Sequence, residues 1–161
     1  MAGTVVTYDA IINLQTAVQG LSLVLPGGGT LPTTRVYARK ILTDCNVTLP
    51  CVIIALGPMP PVEEPGLNLR DDWDTPLIVA IVAAGNQNYA LDSETEALLL
   101  WEQRTRRLVN NVRVTGTYGD STLKQCRWQP WPVAQLGLWE TANLWVQGGF
   151  AHVITREPRT T

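Results

Sequence analysis

The chain is short of charge. Only 16% of its 161 residues are Asp, Glu, Lys or Arg, against roughly 25% in ordinary globular domains, and 45% are hydrophobic. That balance excludes a disordered segment, a coiled coil and an acidic solvating tail. No excess of positive charge exists either: 12 basic residues face 14 acidic ones and the pI is about 5.3, which argues against a general nucleic-acid binder. Histidine and phenylalanine occur once each. Cysteine occurs three times, at Cys45, Cys51 and Cys126. An odd number in a chain of this length is no secreted disulfide framework. Cys45 and Cys51 could pair by spacing, but reduced thiols are the expectation for a cytosolic compartment. The longest apolar run, residues 76–84, is less than half of the ~20 residues a membrane helix needs. The N-terminal residues show no basic stretch followed by an apolar core, so a soluble protein made in a cytoplasm is expected.

What is present points to a single domain over residues 1–161, a size at which a self-supporting core is feasible. Thr7 is placed to cap a first helix with Asp9 in its first turn, and Ile11, Leu14, Val18 and Leu21 recur at helical spacing up to about Gly20. Residues 26–32, with three consecutive glycines between prolines, read as a flexible connection. Residues 35–41 alternate like a half-exposed strand, and residues 51–55 form a short β-branched one. Residues 58–75 hold four prolines and five acids in eighteen positions, which predicts a long loop or extended arm. Residues 77–84 are apolar without alternation, so both faces of that strand should be covered.

The clearest element is a helix over residues 92–113. Ser93 and Glu96 fit a capping box. Leu98, Trp101, Thr105, Leu108 and Val112 mark one face, and acids precede arginines as the helix dipole favours. Residues 125–131 and 144–156 close the chain as strands, with Gly148-Gly149 suggesting a bulge or break. Helix, strands, long helix, strands is the order of an α+β fold: a mainly antiparallel sheet flanked by the N-terminal helix and the long central helix.

Chemistry-bearing motifs are sparse. His152 shares a strand face with Phe150 and Ile154 and reads as structural. Ser22, Ser93 and Ser121 lie in no nucleophile elbow. The three cysteines and His152 lack zinc-ligand spacing. The acidic run Asp71-Asp72-Trp73-Asp74 could hold a divalent cation, but a solvated loop or a salt-bridge donor between subunits is the stronger reading. Gly27-Gly28-Gly29 lacks the Lys-Ser/Thr of a phosphate loop. Arg104, Arg106 and Arg107 could meet phosphates, yet the charge is split along the chain. Residues 1–92 hold 4 basic against 8 acidic side chains and residues 93–161 hold 8 against 6, which suits head-to-tail contact between copies. Four of the six tryptophans, Trp128, Trp131, Trp139 and Trp145, fall within eighteen residues. They suit core or interface positions, with a sugar platform as the other use. Residues 131–139 are too apolar for a free loop and should be covered.

Three pieces of the chain carry a resemblance: residues 48–54 followed by the Trp73 loop and residues 76–82; Leu98 to Arg104 on the long helix; and the ending Val153 to Arg159. Together, over most of residues 8–159, they resemble small structural proteins of tailed bacteriophages encoded near the head–tail joining genes, of the tail terminator or neck kind. The resemblance implies a homohexameric ring in the virion, assembled in the host cytoplasm, that caps the tail tube and joins tail to neck and head. Its partners would be its own copies, the tube and the connector proteins, with genomic DNA passing through the lumen without sequence-specific binding and no membrane involved. It implies no catalytic residue, cofactor or metal. Trp73, Asp74, Arg104 and Arg107 are the candidate subunit-interface residues, chosen on their chemistry, and the 58–75 arm is the candidate contact with neighbours. Another connector or head-closure protein is the alternative within this class; a small metal-dependent enzyme or a carbohydrate-binding module is the alternative outside it.

Overall fold

In a computed structural model, which describes residues 5–42, 46–57, 60–63, 72–85, 91–111, 114–131 and 144–158, the fold is α+β. Helix α1 (Val5–Gln19) precedes β1 (Val36–Arg39), β2 (Cys51–Leu56), β3 (Val62–Glu63) and β4 (Asp72–Ala84). Helix α2 (Ser93–Asn110), β5 (Thr122–Pro130) and β6 (Leu144–Arg156) follow. The sheet order is β1-β2-β4-β6-β5, with β3 beside β4. Only β1 and β2 run parallel; the other pairs are antiparallel.

Two long strands make the spine. β4 and β6 pair without interruption from Asp72↔Arg156 to Ala84↔Leu144. Gly148 and Gly149 therefore mark neither a bulge nor a break. They are glycines because the neighbouring strands leave no room: a Cβ at 148 would strike the Val79 carbonyl, and one at 149 would sit 2.5 Å from the Gln129 carbonyl and 2.7 Å from the Trp128 ring. The one irregularity in β6's pairing lies on the other strand, a bulge between Leu123 and Gln125 of β5.

β4 is buried on both faces, as its unbroken hydrophobic run requires. Leu77, Val79 and Ile81 join Val52, Ile54, Ala151 and Val153 under the two helices. Ala80 and Val82 join Cys51, Ile53, Leu144 and Val146 on the opposite face, where Leu42, Val47, Leu49 and Trp131 pack over them. Each such aliphatic side chain contributes about 1.5–3 kcal/mol on full burial.

The strand also starts earlier than the proline- and acid-rich composition suggested. Asp72–Thr75 belong to β4, and Val62 and Glu63 pair with Asp74 and Trp73, so six of the eight described residues of the expected arm are sheet; residues 58, 59 and 64–71 lie outside the described residues. Pro76 does not stop the strand. The Pro76 carbonyl points towards Gly57, so its missing N–H faces the same side. There β4 has left β2 at Leu77 and has not yet met β3 at Asp74, and no ladder bond is lost.

The helices differ from expectation at their starts. α1 begins at Val5, so Thr7 is interior and no acid lies in its first turn. Asp9 instead accepts the Gly119 amide at 2.8 Å. α2 is capped by Asp92, not Ser93. The Asp92 Oδ1 accepts from the amide and the hydroxyl of Thr95, both at 2.8 Å, and these bonds hold its carboxyl below the usual range. A carboxylate serves better than a hydroxyl beside the positive end of the helix. Leu98, Trp101, Thr105 and Leu108 face inward as predicted, joined by Val109; Val112 lies outside the described residues. The glycine-rich connection is a closed turn. Val24 bridges to Thr30, the Leu25 amide donates to Gly29, and Gly28 and Gly29 adopt φ of 92° and 83°, a region other residues rarely enter. The Trp101 indole donates to the Val24 carbonyl at 2.6 Å and ties this turn to α2.

Each helix also covers an outer edge of the sheet. Gln15 of α1 donates to the Val36 carbonyl of β1 at 2.7 Å. Asn110 of α2 accepts from the Trp128 amide of β5 at 2.8 Å. Exposed edges invite strand pairing between chains, and these side chains occupy groups that such pairing would use.

Two outcomes are expected. Gly148→Ala should force β4 and β6 apart and cost about 1–3 kcal/mol, read as a lower urea midpoint with an unchanged slope; an unchanged midpoint would contradict the close approach. Burial raises the thiols of Cys51 to about 12 and Cys126 to about 11, so thiolate is scarce at pH 8. Peptide mapping should find both unalkylated by iodoacetamide in the native protein and both labelled after denaturation.

Candidate functional site

The face of the sheet away from the helices divides into an apolar half and a polar half. Alternation places Asp72 and Asp74 of β4, Arg127 and Gln129 of β5, and His152 and Arg156 of β6 on the polar half. Asp72 stands directly across from Arg156. The guanidinium grips the carboxylate with two bonds, Nε–Oδ1 at 2.6 Å and a second nitrogen to Oδ2 at 2.8 Å. Asp72 is 1% exposed. The Arg156 hydrogen bond holds its carboxyl below the usual range and outweighs the opposing effect of burial. One pleat along, Asp74 receives the His152 Nδ1 at 2.9 Å and an Arg127 nitrogen at 3.3 Å. The Asp74 carboxylate can only accept, so the Nδ1 donates.

The second ring nitrogen of His152 meets the side chain of Gln129 at 2.7 Å. It meets an amide rather than a hydroxyl or thiol, and the pair therefore lacks the geometry of an activated nucleophile. Both ring nitrogens of His152 are thus engaged by side chains of neighbouring strands. Among the described residues no three His, Cys, Asp or Glu side chains gather to hold a metal ion; Asp71 and Cys45 lie outside them.

The four candidate interface residues do not converge. Trp73 and Asp74 are consecutive in β4 and point to opposite faces, Trp73 half-buried with its indole nitrogen unpartnered. The Asp74 carboxylate is engaged within its own chain. Arg104 turns back from α2 and donates to the Leu21 carbonyl at 2.5 Å. Of the four, Arg107 alone is fully exposed, in the last turn of α2. Trp131 meets Phe150 edge-on, with ring centroids 6.2 Å apart. Residues 132–143, which include most of the apolar 131–139 stretch, lie outside the described residues.

Large apolar side chains at the surface form the other chemistry of the chain. Leu91 is 87% exposed, and Leu99 and Leu100 on α2 are 42% and 48% exposed. At the corner between β2 and β3, Leu56 and Val62 are exposed beside a cleft of about 230 Å³. The cleft is lined by Thr7, Leu56, Gly57, Pro60, Pro61, Thr75 and Pro76. Tyr8, next to Thr7, is exposed as well. Sequence reasoning passed over these residues, though one signal was there. In Leu98-Leu99-Leu100 successive side chains turn about 100°, so a helix that buries Leu98 cannot bury all three.

No protein-family model matches the chain, and no curated protein matches it. Among the described residues no helix is long and apolar enough to cross a membrane.

The Asp72–Arg156 pair supplies a prediction. Arg156→Met removes the bidentate partner of a buried carboxylate and should cost about 1–3 kcal/mol at pH 7. The Asp72 carboxyl titrates lower in the folded chain than in the unfolded one, so its contribution is present above about pH 4 and is lost as pH falls through the folded value. Urea melts should show the gap between parent and variant shrinking towards pH 3; a gap independent of pH would contradict this role.

Proposed function

We propose that this chain is a structural virion protein, a tail terminator whose copies close into a ring, probe one face of the tail tube with one surface and the neck with the other. The sequence resemblance motivates the reading. The observed architecture supports it: proteins of that kind have an α+β fold in which a sheet is flanked by helices, and this chain is α+β, with a mostly antiparallel sheet and two helices. The observation that carries it is the apolar corner at Leu56 and Val62, with its proline-walled cleft. Grouped exposed apolar side chains mark places where proteins meet. Ring closure through a head-to-tail contact requires two unlike surfaces on each subunit.

The mechanism is geometric. Each copy presents the corner to a differing surface of the next, with a rotation that closes; the hexamer is the proposed count. The finished ring offers the tube a matching face and offers further tube subunits none, so polymerisation ends there. The low charge and a net charge of only -2 leave short-range packing as the main attraction between copies.

Negative-stain imaging of the purified full chain should show annular particles. The double substitution Leu56→Asp and Val62→Asp should abolish them while leaving the circular dichroism spectrum unchanged. Globular particles of one subunit at every concentration would overturn the reading, as would rings that survive the double substitution.

A further inference from the structure

The outer face of α2 is built to meet itself. At about 100° per residue, Glu96, Gln103 and Arg107 fall on one line, with Leu99 and Leu100 flanking it and the buried Leu98, Trp101, Thr105 and Leu108 on the far side. Glu96, Leu99, Leu100 and Arg107 are all exposed. The ends of the helix differ in charge: acids lie in its first turn and Arg107 in its last. Several other charges at the helix are already used. Asp92 is committed to the cap, Arg104 to the Leu21 carbonyl, and Arg106 to Glu102 at 3.7 Å. Among the described residues Glu96 and Arg107 have no such charged partner.

The spacing of these residues is symmetric. The helix runs from Ser93 to Asn110, so its midpoint falls between Trp101 and Glu102. Glu96 and Arg107 stand equally far from that midpoint on opposite sides, and so do Leu100 and Gln103. We infer that two copies of this chain pack α2 against α2, antiparallel about a two-fold axis through this midpoint. Glu96 of each copy then lies opposite Arg107 of the other, twice over. The leucines meet at the centre: at 1.5 Å rise per residue the two Leu100 side chains lie about 4–5 Å apart along the axes. A parallel pairing would instead set Glu96 against Glu96 and Arg107 against Arg107, which like-charge repulsion disfavours.

This contact is distinct from the head-to-tail contact of the proposed ring. A two-fold contact uses the same patch on both partners and closes after two, so it pairs two subunits, or two rings face to face. Two half-exposed leucines per copy make a small apolar centre, well below the roughly 800 Å² per partner of a standard interface. The pairing is therefore weak and depends on its two ion pairs, which makes it sensitive to salt.

The test uses the full chain. Gln103→Cys places a thiol beside the axis, and mild oxidation at about 100 μM should give a disulfide-linked dimer of Gln103→Cys. The parent chain, and Tyr8→Cys with its thiol on the exposed surface of α1, should give little. In sedimentation equilibrium of parent chains, Arg107→Glu should weaken pairing at least tenfold, and adding Glu96→Arg should restore it to within about threefold. Cross-linking of Gln103→Cys no greater than that of Tyr8→Cys would overturn the inference. A double charge reversal as weak as Arg107→Glu alone would do so as well. Leu56→Asp with Val62→Asp, which tests the ring, should leave the Gln103→Cys cross-link intact, so the two contacts fail separately.

Discussion

The unbroken pairing of β4 with β6 is the constraint on which the remaining structure rests. Thirteen residues of each strand lie in register from Asp72↔Arg156 to Ala84↔Leu144. Within it the pairing puts Gly148 against the Val79 carbonyl, where no side chain fits. At one end it brings a buried carboxylate onto a guanidinium. Because β4 is central, both its faces must be apolar over most of their length, and the chain supplies a cover for each. The helices form one cover; Leu42, Val47, Leu49 and Trp131 contribute to the other. The polar half of that second face is satisfied internally, with Asp72, Asp74, Arg127, His152 and Gln129 bonding one another or Arg156.

That satisfaction bears on function. A histidine beside an aspartate invites a catalytic reading, yet the Asp74–His152 pair is diagonal across a sheet and ends on Gln129. Its bonds pair charged side chains on a strand surface where an unpaired charge would be costly to bury. Large apolar side chains stand exposed elsewhere: Leu56 and Val62 at the β2–β3 corner and Leu99 and Leu100 on α2.

Much of the fold was legible in the sequence. The periodicity of α1 and α2 and the continuous apolar run of β4 follow from side-chain patterning alone, and together with the element order they gave the α+β class. Boundaries were less legible, for specific reasons. Asp92 competes with Ser93 for the same cap, and the positive end of the helix favours the acid. Proline and acid content made residues 58–75 look like loop, because the partner that straightens Asp72–Thr75 is Arg156, more than eighty residues away in the chain. Gly148-Gly149 resembled a break because the close approach of Val79 and Trp128 exists only once three strands are assembled. Of the candidate interface residues, Asp74 and Arg104 found intramolecular partners at long sequence separation, which composition does not encode. The exposed leucines of α2 were readable from the helical period, since three consecutive leucines cannot share one buried face.

Native mass spectrometry of the full chain over a wide concentration range addresses the central claim, that this protein acts by packing against copies of itself and neighbouring structural proteins. The account predicts ions at integer multiples of 17.7 kDa, with the larger species growing as concentration rises. A single 17.7 kDa species at every concentration would contradict it.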